Sequence, residues 1–384
     1  MPEDITAIAL LVTERCNLAC VYCYGSNGNH RKQSVMKLST AIQSVDWLIQ
    51  KSGDRKNLRL TFFGGEPLLE FEMIREIAGY TKKTSTDHDK QITFEMTTNA
   101  TLMSPEVIQF FKEYKIKPLI SFDGPEEIQN KQRPFKNGRG SYKMARPLIR
   151  ELLQEIPGIS CRATWLPGKD PQVILDGLKE LGFSNIYLLP ATLAYENTEG
   201  TPDGFLEPLI KIEEKHSREL KAAVRSRNDA EIKEIGKTSL ILRLAEMKIK
   251  NIKKERPCGA GRELVAVSSN GDLYPCHRFA GMEEFRLGSV LTGECVNTFN
   301  FWKSVDEIPS CKACPARYTC AGGCYHDNLI STGDYKTPGR EVCRRRVAID
   351  ALAAELTAGL DESDVQFLYQ EAIFKEKYCP MDFN

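Results

Sequence analysis

Apolar residues in the first half of the chain come in short runs separated by amphipathic stretches. Ile5–Val12, Leu58–Phe62, Ile92–Met96, Pro118–Phe122, Ile159–Trp165 and Asn185–Leu189 read as strands. Between them the apolar period is helical. Ser39 stands where an N-cap would precede Ile42, Val45 and Leu48, and Gly53 follows the end. Ser104-Pro105 opens a second helix through Val107, Phe110 and Phe111, with proline at the tolerated first position. Further helices are predicted near Tyr142–Glu155 and near Gln172–Leu181, the latter stopping at Gly182. Strand–helix alternation at this spacing calls for an α/β fold, a parallel sheet with right-handed crossovers. Six units make a partial barrel or an open sheet, short of a complete eight-fold ring.

Residues 203–256 change character. They are rich in Lys, Glu and Arg, with a helical apolar period at Leu206, Leu209, Ile210 and Ile212 and again at Leu240, Leu242 and Leu244. This predicts a solvated helical connector in preference to a partner-binding surface. From Cys258 to Cys343 the chain breaks into short Gly/Pro-punctuated segments with eight cysteines, and too little apolar content to fold without staples. Helical patterning resumes from Val347 to Tyr378. The expected organisation is a barrel over 1–200, a helical connector over 201–256, a small cysteine-rich extension over 257–346, and a C-terminal helix and tail over 347–384.

Charge narrows the function. Lys and Arg number 52 and Asp and Glu 52 in 384 residues, which argues against a nucleic-acid partner, whose binder carries a basic face. No apolar run approaches the roughly 18 residues that span a bilayer. The acidic start Met1-Pro2-Glu3-Asp4 lacks the basic region and cleavage site of a signal peptide, so a cytoplasmic location is expected. There, 13 cysteines point to metal or redox cofactors before disulfides. Ten of them fall into two ordered sets.

Cys16-x3-Cys20-x2-Cys23 follows the first strand. Three thiolates on one loop can hold three corners of a [4Fe–4S] cube and leave one iron without a protein ligand. Zinc is the alternative, with His30 as fourth ligand. Position favours the cluster, because α/β folds place their chemistry at strand ends. Gly64-Gly65-Glu66-Pro67 follows the second strand and, alone, is an ordinary strand-to-helix turn. Thr98-Asn99-Ala100 follows the third strand, Ser121-Phe122-Asp123-Gly124-Pro125 ends the fourth, and Arg162 lies on the fifth. In this order the motifs resemble the radical S-adenosylmethionine (SAM) superfamily, whose signature is CxxxCxxC with an aromatic, here Tyr22, before the last cysteine. The resemblance implies that the open iron chelates the amino and carboxylate groups of SAM. Reduction then yields a 5′-deoxyadenosyl radical that abstracts hydrogen. It further implies that Gly64, Gly65, Glu66 and Pro67 bind the SAM amino group and that Asn99 lies in the family's TNG-like turn, with Ala100 replacing glycine. Ser121 would meet the ribose or carboxylate, and Arg162 would clamp the carboxylate bidentately.

The second set comprises Cys258, Gly271-x4-Cys276, Cys311-x2-Cys314-x5-Cys320-x3-Cys324 and Cys343. Structural zinc is again an alternative, with His277 or His326 as an eighth ligand. The spacing resembles the SPASM/twitch extension of radical SAM enzymes, which binds two auxiliary [4Fe–4S] clusters, three in all. That implies an outer cluster on Cys311, Cys314, Cys320 and Cys343, and an inner one on Cys258, Cys276 and Cys324. The inner set is one ligand short. Cys295, a backbone group or water could complete it, and an open site that binds a substrate thiolate is the expectation. Cys161 reads as a core residue and Cys379 as an exposed thiol.

Three functional classes compete. The run Gly271–Phe279, with Phe285–Gly288 after it, looks like that of ribosomal-peptide maturases that form thioether or related cross-links. Partners would then be a ribosomally synthesised precursor peptide and a flavodoxin- or ferredoxin-type reductant. With the first strand expected from residue 5, leader binding is expected to be weak, supplied by a separate protein, or done by another surface. Formylglycine formation, as in anaerobic sulfatase maturases, is the second class. Those enzymes place an Asp base where this chain has His277, which can also act as a base near neutral pH. A zinc-stapled scaffold or electron carrier is the third, and needs no SAM pocket. His277 is therefore either a catalytic group or a hydrogen bond to cluster sulfur, and with Arg278 it bears on substrate choice. His326 is expected to be structural, and Arg344-Arg345-Arg346 a solvated, charge-balancing face. Glu66 and Asp123 are polar strand-end groups placed to face a pocket.

Overall fold

The computed structural model describes residues 4–25, 34–191, 204–294, 296, 304–371 and 373–374. His30, Cys295, Tyr378 and Cys379 lie outside them. The chain divides into two compact units, the first holding residues 1–163, 176–184 and 259–301 and the second residues 164–175, 185–258 and 302–384.

The first unit alternates β1 (Ala7–Thr13), α1 (Leu38–Lys51), β2 (Asn57–Gly64), α2 (Phe71–Asp87), β3 (Gln91–Thr98), α3 (Pro105–Glu113), β4 (Leu119–Ser121), α4 (Glu126–Gln132), α5 (Tyr142–Glu155) and the start of β5 (Ser160–Trp165). Consecutive strands pair in parallel from β1 through β5. Every residue of β1 is buried, as a central parallel strand covered on both faces requires. Ser104 caps α3 as expected, its Oγ accepting from Val107 N at 3.3 Å. Ser39 does not cap α1. The helix starts at Leu38 from an extended Lys37 with no side-chain cap. Just upstream, Met36 N donates to Val12 O (2.9 Å), so the chain enters the helix straight from a strand-like contact with β1.

Helix α6 (Pro171–Leu181) and β6 (Asn185–Pro190) complete a run of six strands joined by five helical crossovers. Within the second unit, Ala191 N donates to Trp165 O (2.9 Å), linking the end of β6 to the end of β5.

The second unit carries α7 (Glu207–Arg225), α8 (Asp229–Gly236) and α9 (Ile241–Ile249). The expected solvated connector is instead half of a core. Leu220, Val224, Ile232, Leu244 and Met247 pack with Ile349, Ala353 and Leu356 of a later helix, each nearly inaccessible. Their apolar stripe is covered by protein, which burial of that much surface favours.

Back in the first unit, β7 (Leu264–Val267) pairs in parallel with the other edge of β1, and β8 (Asp272–Tyr274) and β9 (Gly288–Ser289) follow antiparallel. The second unit then holds α10 (Arg317–Cys320), α11 (Tyr325–Thr332), α12 (Arg340–Ala358) and α13 (Glu362–Gln370). Helix α12 starts seven residues before Val347, so Cys343 is helical. Among the described residues no helix is long and apolar enough to cross a membrane.

Candidate active site

The parallel register brings the C-terminal ends of the strands to one edge, with Thr98 opposite Ile120 and Ser121 opposite Arg162. The loop that leaves β1 at this edge carries Cys16, Cys20 and Cys23. Gly65 N donates to Thr13 O and Glu66 N to Arg15 O, both at 2.9 Å, which ties that loop to the turn after β2. A Cβ on Gly64 would lie 2.1 Å from Thr13 O, and one on Gly65 2.1 Å from Arg15 O, so only glycine allows this approach. On its other side the loop runs beside residues 132–136. Val21 N donates to Gln132 O (3.0 Å), Ala19 N to Pro134 O (2.8 Å), and Leu18 bridges Phe135.

Glu66 is 1 % exposed. Its Oε1 accepts from Thr98 Oγ1 (2.7 Å) and Leu68 N (3.1 Å), its Oε2 from Asn99 N (2.7 Å). Burial pushes its carboxyl up to about 7, against the downward pull of those three bonds. Its carboxylate thus joins the turns after β2 and β3. Asn99 reaches onward, its Nδ2 donating to Asn17 Oδ1 (3.0 Å) beside Cys16. Ser121 and Arg162, paired in register, are half-buried at the ends of their strands.

Asp123 does not face an open pocket. It is fully buried, accepting from Gln132 Nε2 (2.8 Å) and Tyr22 Oη and paired with Arg133 Nε (3.0 Å). The reason is a buried cation, Arg133, that the sequence reading did not single out. The Tyr22 hydroxyl is held well above its usual range by burial, and the ring lies 5.3 Å from the Arg133 guanidinium carbon. Burial pushes the Cys20 thiol up to about 12, with Arg133 pulling it back and Cys23 and Cys16 adding to the rise.

Cys276 is extended (φ −157°) and opens the short turn His277–Phe279. The His277 ring sits 4.1 Å from that of Phe63 at the end of β2 and 6.4 Å from that of Tyr24, one residue past Cys23. Arg278 lies over the same tyrosine at 5.3 Å. His277 is therefore on the side of the sheet edge that carries the Cys16–Cys23 loop.

In the second unit, Cys311, Cys314 and Cys320 occupy adjacent turns and Cys343 faces them. The Cys343 thiol is pushed up to about 11, chiefly by burial and then by neighbouring Cys320, Cys311 and Cys314. Cys258 and Cys324 both act on Tyr325, whose hydroxyl is raised chiefly by burial. His326 is buried. Arg345 is 7 % exposed and Arg344 pairs with Glu207 at 2.8 Å, so the Arg344–Arg346 run is not a uniformly solvated face. Helix α12 points its middle arginine inward.

None of the eleven described cysteines is in a disulfide. Among the described residues no three Cys, His, Asp or Glu converge tightly enough to chelate a single ion. The thiols of a cubane, each on its own iron, stand farther apart. The first set fits such a group. Three thiols share one loop, each within electrostatic reach of the next, beside a glycine cradle that a Cβ would fill.

Residues 10–186 match the Radical SAM superfamily. They form a radical SAM domain. The chain is 37% identical over 141 residues to the uncharacterized protein MJ0907 of Methanocaldococcus jannaschii, covering 37% of this chain and 46% of that one. It is 23% identical over 338 residues to a cysteine-type anaerobic sulfatase-maturating enzyme of Clostridium perfringens, covering 80% and 85%. The chain spans less than half the length of the first curated relatives it matches. Among solved structures, anSMEcpe with AdoMet and a peptide bound superposes at TM-score 0.71 with 17% identity, covering 97% of this chain and all of that one. Streptococcus suis SuiB bound to precursor peptide SuiA superposes at 0.58 with 15% identity, covering 88% and 76%. The radical SAM domain thus accounts for the parallel sheet, and the likeness in fold continues beyond it.

Proposed function

We propose that this chain is a radical SAM/SPASM enzyme that oxidatively modifies a ribosomally made peptide, forming a thioether or related cross-link. Cys16, Cys20 and Cys23 would hold the SAM cluster. Gly64, Gly65, Glu66 and Pro67 would receive the SAM amino group, with Asn99, Ser121 and Arg162 along the same edge. When bound and reduced by one electron, this group cleaves SAM to methionine and a 5′-deoxyadenosyl radical that takes a hydrogen atom from the substrate.

The observation that carries the peptide reading is the placement of His277 against Phe63 and Tyr24, at the mouth of the cluster loop. A neutral imidazole there accepts the proton released as the substrate radical forms its new bond. The balance is closed. The peptide would lose one hydrogen atom to 5′-deoxyadenosine and one proton to His277, and its remaining electron would pass to a second [4Fe–4S] group of the cysteine-rich extension. A flavodoxin- or ferredoxin-type reductant supplies the electron that SAM cleavage consumes. Cys311, Cys314, Cys320 and Cys343 would hold a third cluster.

The likeness to the Clostridium sulfatase-maturating enzyme over most of both chains favours a second reading, formylglycine formation on a Cys or Ser. One experiment separates the two. A short precursor peptide encoded beside the gene is co-expressed anaerobically with the enzyme and its mass read. Loss of two hydrogens with fragmentation blocked across an internal segment supports cross-linking. A hydrazine-reactive aldehyde at a single Cys or Ser replaces that reading with the second.

A further inference from the structure

Arg133 belongs to no motif used above, yet with Asp123 and Tyr22 it forms a buried polar cluster beside the loop of Cys16, Cys20 and Cys23. Asp123 is 0 % exposed and Arg133 7 %. A buried cation–anion pair is costly to place, and a chain of hydrogen bonds holds this one in position. Asp123 N donates to Gln129 Oε1 (2.8 Å), Gln129 Nε2 to Ser141 Oγ (2.8 Å), and Ser141 Oγ to Arg133 O (2.6 Å). Gln132, between these residues, gives its side chain to Asp123 and its carbonyl to Val21 N. The same segment that buries the charge pair is therefore stitched to the backbone of the cysteine loop on both sides of Cys20.

Resting on the assignment of the first cysteine set to a [4Fe–4S] cluster, we propose that Arg133, fixed by Asp123, is a positioning residue that sets the electron affinity of that cluster. A cation held at the loop in a low-dielectric interior favours the more negative, reduced state, and Asp123 opposes it. The two residues therefore act with opposite sign. Removing the Arg133 charge disfavours reduction, and neutralising Asp123 favours it. Tyr22, lying against the guanidinium and bonded to Asp123, keeps both groups in register with the loop.

The test is an EPR-monitored redox titration of the reconstituted full chain, read on the signal that SAM perturbs. Arg133→Gln is expected to make reduction at least tenfold harder, about 59 mV more negative for one electron. Asp123→Asn is expected to move the potential the other way, and Arg133→Lys to stay close to wild type. A merely structural role would shift both neutralising variants in the same direction, or strip iron without moving the potential of what remains. Either result, or equal potentials throughout, overturns the inference. If Arg133→Gln holds no cluster, Asp123→Asn and Arg133→Lys still decide it. A wild-type chain that binds no cluster removes the cluster assignment itself, a different failure from unchanged potentials in a loaded enzyme.

Discussion

At Ala100 the backbone takes φ +60°, the left-handed region, where a Cβ costs roughly 1–2 kcal/mol. The residue is fully buried in the turn after β3, so the strain is held by the Glu66 and Asn99 bonds around it. Ala100→Gly is expected to gain up to about 1 kcal/mol in urea denaturation, and a loss would contradict the strain argument. Glu66 makes a second prediction. Its ordinary value is 4.5 and its folded value about 7. Between these, the unfolded chain releases a proton that the folded chain keeps, so stability falls as pH rises through the window and the penalty is complete above it. The shift corresponds to something on the order of 3 kcal/mol. Relative to wild type, Glu66→Gln should thus gain by that order between pH 5 and pH 8 in the apo protein, and a constant difference would refute it. The cysteine spacing and the two glycines were legible because their chemistry lies in contiguous residues. The Asp123–Arg133 pair was not, because a helix separates its members and only burial makes the pair consequential.

Among the elements, Asp350 of α12 accepts from Lys248 of α9 (2.9 Å) and from Thr319 of α10 (2.6 Å), while itself only 3 % exposed. Thr319 precedes Cys320, so this bond fixes α10 on the helix that carries Cys343. Thr319→Val should cost about 1–3 kcal/mol, the penalty for leaving a buried acceptor short of a partner, and is checked by chemical denaturation of the second unit. The six strands and the helices α3, α5 and α6 were read almost to their boundaries, since alternation and capping are local signals. The helices of residues 207–249 were found as helices but misplaced as solvated. An amphipathic period shows one apolar stripe and not what covers it, and here the cover is more than a hundred residues downstream. The same limit hid the inward turn of Arg345.

For the whole molecule, the proposed complement is about 12 iron atoms per chain, four for each cubane. Replacing Cys311, Cys314 and Cys320 by alanine should lower the count to about 8 while sparing the SAM-perturbed EPR signal. Replacing Cys16, Cys20 and Cys23 should give a similar count and abolish that signal. The measurement that bears most directly on the central claim is 5′-deoxyadenosine formed from SAM by the anaerobically reconstituted, reduced chain. The account predicts 5′-deoxyadenosine and methionine in equal amounts from wild type and none from the variant in which Cys16, Cys20 and Cys23 are alanine. Bound zinc without iron–sulfur absorption, or 5′-deoxyadenosine that survives loss of those three thiols, would contradict it.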